Sequence, residues 1–439
     1  MRRSDVARIR PASRRPSCAP LTENVVSMVG EHLQYAGLAD LVTRKLGKHG
    51  VRVTARQRQR ILRWLKEGAK GEPPLPQAKA GAKDVMISLT PRDERRLKGQ
   101  LTRQLPTLTS DVTTKVAARM ARPALRILKG EWLKEARLDD WFLLEFEQRL
   151  ARTWKKPFEL LELQRYLACS TAAEINEELR RRSSKSKEAP LVEALTSLHA
   201  RSCQITAEVL VLLRKGYPEA AIARWRSLHE VSIVMHFINE HGFETAKRYL
   251  DHDVVESWRA ASDYATHCVD LGFEPIAAEE LAQVERAYDA AIKKHGSDFK
   301  DPYGWAAWDL KLKRRVTFED VARDAGFAHW RPLYRLASHP VHANPKSVKW
   351  RLGVMEGGPS CLPVGPSNYG LADPGQNTGL SIAQVTALVI EKAPTFERLL
   401  VMYVMEELAG QIARAFVDVQ RRIERREVKL RAKMHDESP

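Results

Sequence analysis

The spacing of apolar residues along the chain predicts helices almost throughout. In residues 191–215 apolar side chains recur every three or four positions, which is the period of one helix face. Gly216 then ends this helix, and Pro218 opens the next one at its first position. That second helix is apolar nearly all round from 219 to 239, so we expect it at the centre of a bundle. Strand-like alternation is sparse, and the sequence therefore predicts an all-α fold.

Proline, glycine and charge mark the predicted domain boundaries. Residues 353–379 contain seven Gly and four Pro, which predicts a long irregular loop inside the second domain. The predicted organisation is a disordered basic tail at 1–22, a basic helical region at 23–160 with a linker at 68–83, an all-α bundle domain at 161–430 and a tail at 431–439.

Charge separates these regions more sharply than hydrophobicity does. The formal net charge is +17, and residues 1–150 hold 31 Lys and Arg against 16 Asp and Glu, so that region alone carries +15. A helix predicted to start at a Thr54–Gln57 capping box is especially basic. Its cations are Arg56, Arg58, Arg60 and Arg63. This region is a candidate nucleic-acid-binding surface, and the alternative is a solvated basic surface without a specific partner.

Several protein classes are disfavoured by what the sequence lacks. The five cysteines form no Cys-x-x-Cys pair, which argues against a disulfide scaffold and a structural zinc site. The start of the chain has no apolar signal stretch, and the longest apolar run, 399–405, is too short to cross a bilayer. Phosphate-loop, dinucleotide-binding and serine-hydrolase motifs are absent. We therefore expect a cytoplasmic protein that does not associate with membranes.

Charged residues interrupt the most apolar predicted helix. Arg226 and Glu230 lie four positions apart and share a helix face. A buried charge without a partner is costly, so each should be paired, and the following helix offers Asp251 and His252. The sequence predicts a convergent Arg–Glu–Asp–His network between helices. It is either a binding site or an ion-paired core that fixes the helix register.

A second polar cluster occupies a predicted junction between a helix and a loop. It contains Tyr334, Arg335, Ser338, His339 and His342. Histidine exchanges protons near neutral pH, and arginine holds phosphate or a developing oxyanion, so the cluster is a candidate catalytic site. Nothing in the segment supplies a zinc-ligand spacing, and no metal or other cofactor is predicted.

Three ordered motifs resemble a bacterial family, the domain of unknown function 5677 family. They are Arg-Trp-Arg-Ser-Leu-His-Glu at 224–230, Arg-Tyr-Leu-Asp-His at 248–252, and Tyr334-Arg335 followed by Ser338 and His342. The resemblance covers roughly residues 190–345 and leaves the basic N-terminal region outside. It implies no settled activity.

A looser similarity is to HEPN ribonucleases, which are helical bundles with an Arg-x4–6-His motif. Arg335 and His342 have this spacing. The similarity implies metal-independent RNA cleavage at the interface of a homodimer, often in phage defence, with histidine in acid–base chemistry and arginine stabilising phosphate charge. The leading hypothesis is a defence- or stress-linked ribonuclease using Arg335, His339 and His342. The alternative is a non-catalytic module that binds nucleic acid or protein.

Overall fold

The computed structural model describes residues 35–48, 51–68, 95, 110–183, 186–349, 351–355 and 364–436. Every regular element in this part of the chain is a helix, which confirms the all-α prediction. The chain divides into two compact units, Met1–Leu143 and Leu144–Pro439. The predicted tail 1–22, most of the linker 68–83 and the last three residues lie outside the described residues.

The helices are numbered in chain order. They are α1 (35–48), α2 (Ala55–Lys66), α3 (Ser110–Thr153), α4 (Lys155–Ser183), α5 (Ala189–Arg214), α6 (Pro218–His241), α7 (Phe243–Asp251), α8 (Asp253–His267), α9 (Ala278–His295), α10 (Ala307–Leu310), α11 (Phe318–Asp324), α12 (Arg331–Ser338), α13 (Pro345–Lys349), α14 (Ala372–Glu391) and α15 (Phe396–Asp436). Short 3-10 turns lie at Ser297–Lys300, Gly304–Ala306, Ala328–Trp330 and His339–Val341.

The first unit has a small core between α1 and α2. Ile61 is almost completely buried and packs with Ala39 and Leu46. The predicted capping box at the start of α2 is confirmed: the Gln57 amide donates to Thr54 Oγ1, and the Thr54 amide donates to Gln57 Oε1 at 2.9 Å. The capped start and the apolar face together fix α2 on α1.

The second unit is a helical bundle arranged around α14. This helix packs against α4, α5, α6 and α15. Two glycines one turn apart make the close approach to α15 possible, because a Cβ at Gly375 would lie 2.4 Å from the Phe416 ring and one at Gly379 would lie 3.0 Å from Ile412. The bundle begins earlier than the predicted boundary at 160, since Leu150 and Trp154 are already buried in its core.

The predicted loop at 353–379 extends too far. Residues 372–379 form the first two turns of α14, although they contain Pro374, Gly375 and Gly379. Pro374 lies in the first turn, where its missing N–H costs no helical hydrogen bond, and the glycines are retained because the contact with α15 leaves no room for a side chain. Composition therefore indicated a loop where packing stabilises a helix.

A run of short elements, 304–338, covers one side of α6. Within it, α11 starts at a capping box formed by Thr317 and Asp320, and the Arg314 guanidinium donates to both Asp320 carboxylate oxygens at 2.6 and 2.7 Å. The Arg314 guanidinium and the Thr317 donors hold the pKa of Asp320 well below its usual value. The 3-10 turn Ala328–Trp330 then leads directly into α12. These contacts hold α11 and α12 in place over α6.

The helices differ widely in length and hydropathy. Among those that the structure describes, none combines the length and the apolar character needed to span a membrane.

Candidate functional site

Part of the predicted core network forms between α6 and α12. Arg226 Nη2 donates to the Tyr334 hydroxyl at 2.8 Å, and that hydroxyl donates to Glu230 Oε1 at 2.7 Å. Arg226 also pairs directly with Glu230 at 3.1 Å, and its guanidinium carbon lies 4.8 Å from the centre of the Tyr334 ring. These contacts join the three side chains and hold α12 against α6.

The protonation of this network is fixed by its surroundings. Burial and the adjacent Glu230 carboxylate raise the pKa of Tyr334 well above its ordinary value, so the hydroxyl keeps its proton and continues to donate. The Arg226 Nε atom is buried and has no hydrogen-bond partner, while the other end of the guanidinium carries the contacts. We call this arrangement the cross-link: a noncovalent connection between α6 and α12 rather than a ligand-binding site.

Asp251 and His252 do not join that network, which corrects the prediction of one convergent cluster. Asp251 Oδ2 accepts from Lys294 at 2.6 Å and from His295 at 2.8 Å, both at the end of α9. His252 Nε2 lies 2.9 Å from the Asp301 carbonyl oxygen. The reason is that α7 ends at Asp251, so the chain turns there and presents both side chains to α9 and the segment after it.

The predicted catalytic cluster is also divided. Arg335 lines a pocket beside α6, and the pocket's lining does not include His339 or His342. The Ser338 hydroxyl donates to the Tyr334 carbonyl within α12. His339 Nδ1 accepts from the Asn344 side-chain amide at 3.4 Å, and His342 is exposed just beyond the 3-10 turn. The histidines therefore follow the end of α12, and Arg335 lies one to two turns before them.

The pocket encloses about 310 Å³ between α6, α11 and α12. Its floor is His229, which is only 3% exposed and is surrounded by aromatic rings. The imidazole stacks on Trp225 with ring centres 5.1 Å apart, and Trp330 and Phe327 lie at 5.6 and 5.7 Å. Besides His229, the pocket is lined by Ile233, Phe318, Glu319, Ala322, Arg323, Phe327, Ala328, Arg331, Tyr334 and Arg335.

His229 has no hydrogen-bond partner among the described residues, and its ring faces this pocket. Burial, assisted by the nearby His329, lowers the pKa of His229 to about 4, so the imidazole is neutral at neutral pH. A neutral imidazole carries one donor and one acceptor. Because the imidazole has no protein partner and lines an open pocket, its donor and its acceptor are available to a ligand there.

Three arginines surround the pocket, and they differ in their partners. Arg331 pairs with Glu319 at 2.7 Å, and Arg323 pairs with Asp320 at 3.1 Å. Arg335 is exposed and has neither an ion pair nor a hydrogen bond to any residue that the structure describes. Three cations against the single carboxylate of Glu319 make the lining positive, and Arg335 is the guanidinium most available to an anion.

Sequence reasoning missed most of this pocket. The family motif at 224–230 includes His229, but nothing in the sequence singles out Phe318, Phe327 or Arg331. The available signal was the local composition of 327–335, where four aromatic or histidine rings and two arginines occur within nine residues. Their convergence on His229 depends on short elements that have no readable periodicity.

The basic helix of the first unit is partly available for binding. Arg58 is committed to an ion pair with Asp40 at 2.5 Å. Arg56, Arg60 and Arg63 are exposed on α2. In the part of the chain that the structure describes, no three His, Cys, Asp or Glu side chains converge as a metal site.

Comparison with known proteins gives one positive result. No curated protein and no solved structure matches the chain, and the similarity to HEPN ribonucleases has no support. The matched segment spans α6, α11 and α12, and so contains the whole pocket. Residues 192–359 match the model described as "Family of unknown function (DUF5677)", which confirms the resemblance predicted from the three motifs.

Proposed function

We propose that the pocket binds one nucleotide of a single-stranded nucleic acid. The observation that supports this is that two polar groups without a partner in the described part of the chain line one cavity. Among the described residues, His229 is a buried imidazole without a partner on the floor, and Arg335 is an exposed guanidinium without a partner at the rim.

The chemistry of a nucleotide suits this lining. Its base is planar and stacks favourably on aromatic side chains, and the pocket lining offers the rings of Phe318, Phe327 and Tyr334. The neutral imidazole can then exchange one hydrogen bond with the base edge. The phosphate suits Arg335, because a guanidinium presents paired donors to phosphate oxygens. A volume of about 310 Å³ lies in the range of small-ligand pockets.

The pocket favours an unstacked nucleotide over a duplex. Bases in a duplex are stacked on their neighbours, and a side-chain pocket reaches their faces only when the nucleotide is splayed out. Single strands expose such bases without the cost of unpairing. The exposed Arg56, Arg60 and Arg63 of α2 would add sequence-independent attraction to the phosphate backbone. A cytoplasmic location, where single-stranded RNA is present, is part of this proposal.

Ribonuclease activity is a second candidate, favoured by the position of Arg335. This arginine is at the pocket rim, and His339 and His342 follow at the end of the same helix. In such a reaction one histidine removes the 2′-hydroxyl proton, and the 2′-oxygen attacks the phosphate. The other histidine protonates the departing 5′-oxygen, which leaves a 2′,3′-cyclic phosphate. Arg335 would stabilise the charge on the phosphate.

The binding proposal is tested by fluorescence anisotropy with the full chain and labelled 12-nucleotide RNA, DNA of the same sequence and a matched duplex. His229→Phe and Arg335→Gln should each weaken single-strand binding about tenfold, which corresponds to ~1.4 kcal/mol. The control is Arg201→Gln, an exposed arginine on α5 that bonds to Gln204, and it should bind normally. Unchanged affinity in both pocket variants would overturn the proposal.

Gel analysis of the same RNA samples tests whether the protein has ribonuclease activity. Cleavage by the unaltered chain that disappears in His339→Ala and His342→Ala would support the ribonuclease assignment. Binding without cleavage contradicts it and leaves nucleotide binding standing. Cleavage that persists in both histidine variants would show that His339 and His342 are not the catalytic acid and base.

A further inference from the structure

Helix α3 exposes an unusual number of large apolar side chains in the first unit. Trp132 is 59% exposed, Leu133 is 68% exposed and Trp141 is 56% exposed. Their exposed apolar neighbours on the same helix are Leu125, Ile127, Leu128, Leu138 and Phe142. Scattered apolar residues on a surface are ordinary, but eight large ones on one helix, each more than a third exposed, mark an interaction site.

Part of this group forms a stripe that suits another helix. Leu125, Leu128 and Trp132 have the i, i+3, i+7 spacing that places side chains on one helix face. The helix from Arg119 to Phe142 is about 35 Å long at 1.5 Å per residue, which is enough for a helix–helix interface. We therefore expect the stripe to pack against a long apolar helix of complementary charge.

The charges on either side of Trp132 indicate what that partner is. On the N-terminal side lie four cations, Arg119, Arg122, Arg126 and Lys129, against one acid, Glu131. On the C-terminal side the three acids Glu135, Asp139 and Asp140 outnumber the two cations Lys134 and Arg137. None of the four cations and neither aspartate has an ion pair among the described residues. The exposed helix is thus basic at one end and acidic at the other.

We propose that a second copy of the chain covers this stripe, with the two α3 helices antiparallel. In this arrangement the basic end of each helix lies against the acidic end of the other, whereas a parallel pair would oppose like charges. The contact is isologous, because the same surface is used on both copies. The twofold axis falls near Trp132, which lies midway between Arg122 and Arg126 on one side and Asp139 and Asp140 on the other. The dimer does not depend on the nucleotide pocket.

Sedimentation of the full chain tests whether the dimer exists. We expect a mass of twice 49.8 kDa at micromolar concentration. Leu128→Glu combined with Trp132→Glu should weaken association at least a hundredfold, with helix content by circular dichroism unchanged. The control is Phe396→Glu, which alters an exposed apolar residue on α15 and should remain dimeric. A monomer at all concentrations up to about 100 μM overturns the proposal.

Charge reversal tests the antiparallel arrangement. Arg122→Glu with Arg126→Glu makes both ends acidic, and Asp139→Lys with Asp140→Lys makes both ends basic, so each variant alone should dissociate. Mixing the two variants should restore a dimer, because the acidic helix now complements the basic one. A dimer that survives either reversal, or a mixture that fails to associate, contradicts the antiparallel pairing.

Discussion

Two polar regions lie against helix α6, and they differ in whether their groups find partners within the protein. In the cross-link, the side chains of Arg226, Glu230 and Tyr334 bond to one another. In the adjoining pocket, His229 and Arg335 have no partner among the described residues. Both regions contain residue types that are common in functional sites. A polar side chain is therefore a stronger candidate for ligand binding when it lines a pocket and the fold gives it no partner.

The largest predicted effect comes from breaking a satisfied pair. Arg248 donates to both carboxylate oxygens of Asp309 at 2.7 Å, and both side chains are largely buried. Arg248→Met leaves a buried carboxylate without its cation and should lower the free energy of unfolding by about 3–5 kcal/mol. Urea denaturation measures this change.

The matched control for that experiment is Arg335→Met. Arg335 is exposed and unpaired within the described part of the chain, so its loss should change the free energy of unfolding by less than about 0.5 kcal/mol. If the two variants lose similar stability, the distinction between satisfied and available arginines fails.

The next effect concerns the pH dependence of stability. The pKa of His229 is lowered from 6.5 to about 4 in the folded protein, so the unfolded chain binds its proton first as the pH falls. The stability due to the neutral imidazole is therefore complete above about pH 6.5 and is lost progressively towards pH 4. Lowering the pH from 7.5 to 4.5 should therefore reduce the free energy of unfolding by about 2–3 kcal/mol through this histidine alone.

His229→Phe isolates that contribution. Urea unfolding at each pH gives the drop in the free energy of unfolding between pH 7.5 and pH 4.5. This drop should be about 2–3 kcal/mol smaller in the variant than in the unaltered protein. His199, also buried with its pKa lowered to about 4, is retained in both proteins and contributes equally. Parallel pH profiles for the two proteins would show that the folded state does not lower the pKa of His229.

The smallest predicted effect concerns Tyr334, whose hydroxyl belongs to the cross-link and whose ring lines the pocket. Tyr334→Phe removes the hydroxyl that joins Arg226 to Glu230 but keeps the ring that lines the pocket. Unfolding should become easier by about 1–2 kcal/mol, while RNA affinity stays within about twofold. Tyr166→Phe, at a tyrosine that is 63% exposed, serves as the stability control. A large loss of RNA affinity in Tyr334→Phe would place the hydroxyl in the binding site.

The sequence predicted the features that depend on local pattern. The all-α fold, the capping box of α2 and the connection through Gly216 to Pro218 all follow from periodicity and from residues with strong backbone preferences. Gly216 has a φ of 77°, where glycine carries no Cβ penalty. Such signals need no knowledge of distant neighbours.

The predictions that failed needed long-range contacts. Residues 372–379 read as a loop because their glycines become useful only against Phe416 and Ile412, which come much later in the chain. Asp251 and His252 were assigned to Arg226 and Glu230 because the turn at the end of α7 is not visible in the sequence. The pocket was missed because Phe327 and Trp330 come from short elements that converge on His229 only in three dimensions.

The position of α14 has a consequence for how this protein can be dissected. The family match ends at residue 359, but α14 begins at Ala372 and contributes to both core clusters of the bundle. Helix α4, which also supplies core residues, lies before the match begins. A fragment trimmed to 192–359 would expose the apolar faces of α5 and α6 and should aggregate on expression. The segment that matches the family is therefore smaller than the cooperative folding unit, and a soluble fragment should start near Leu144 and retain α15.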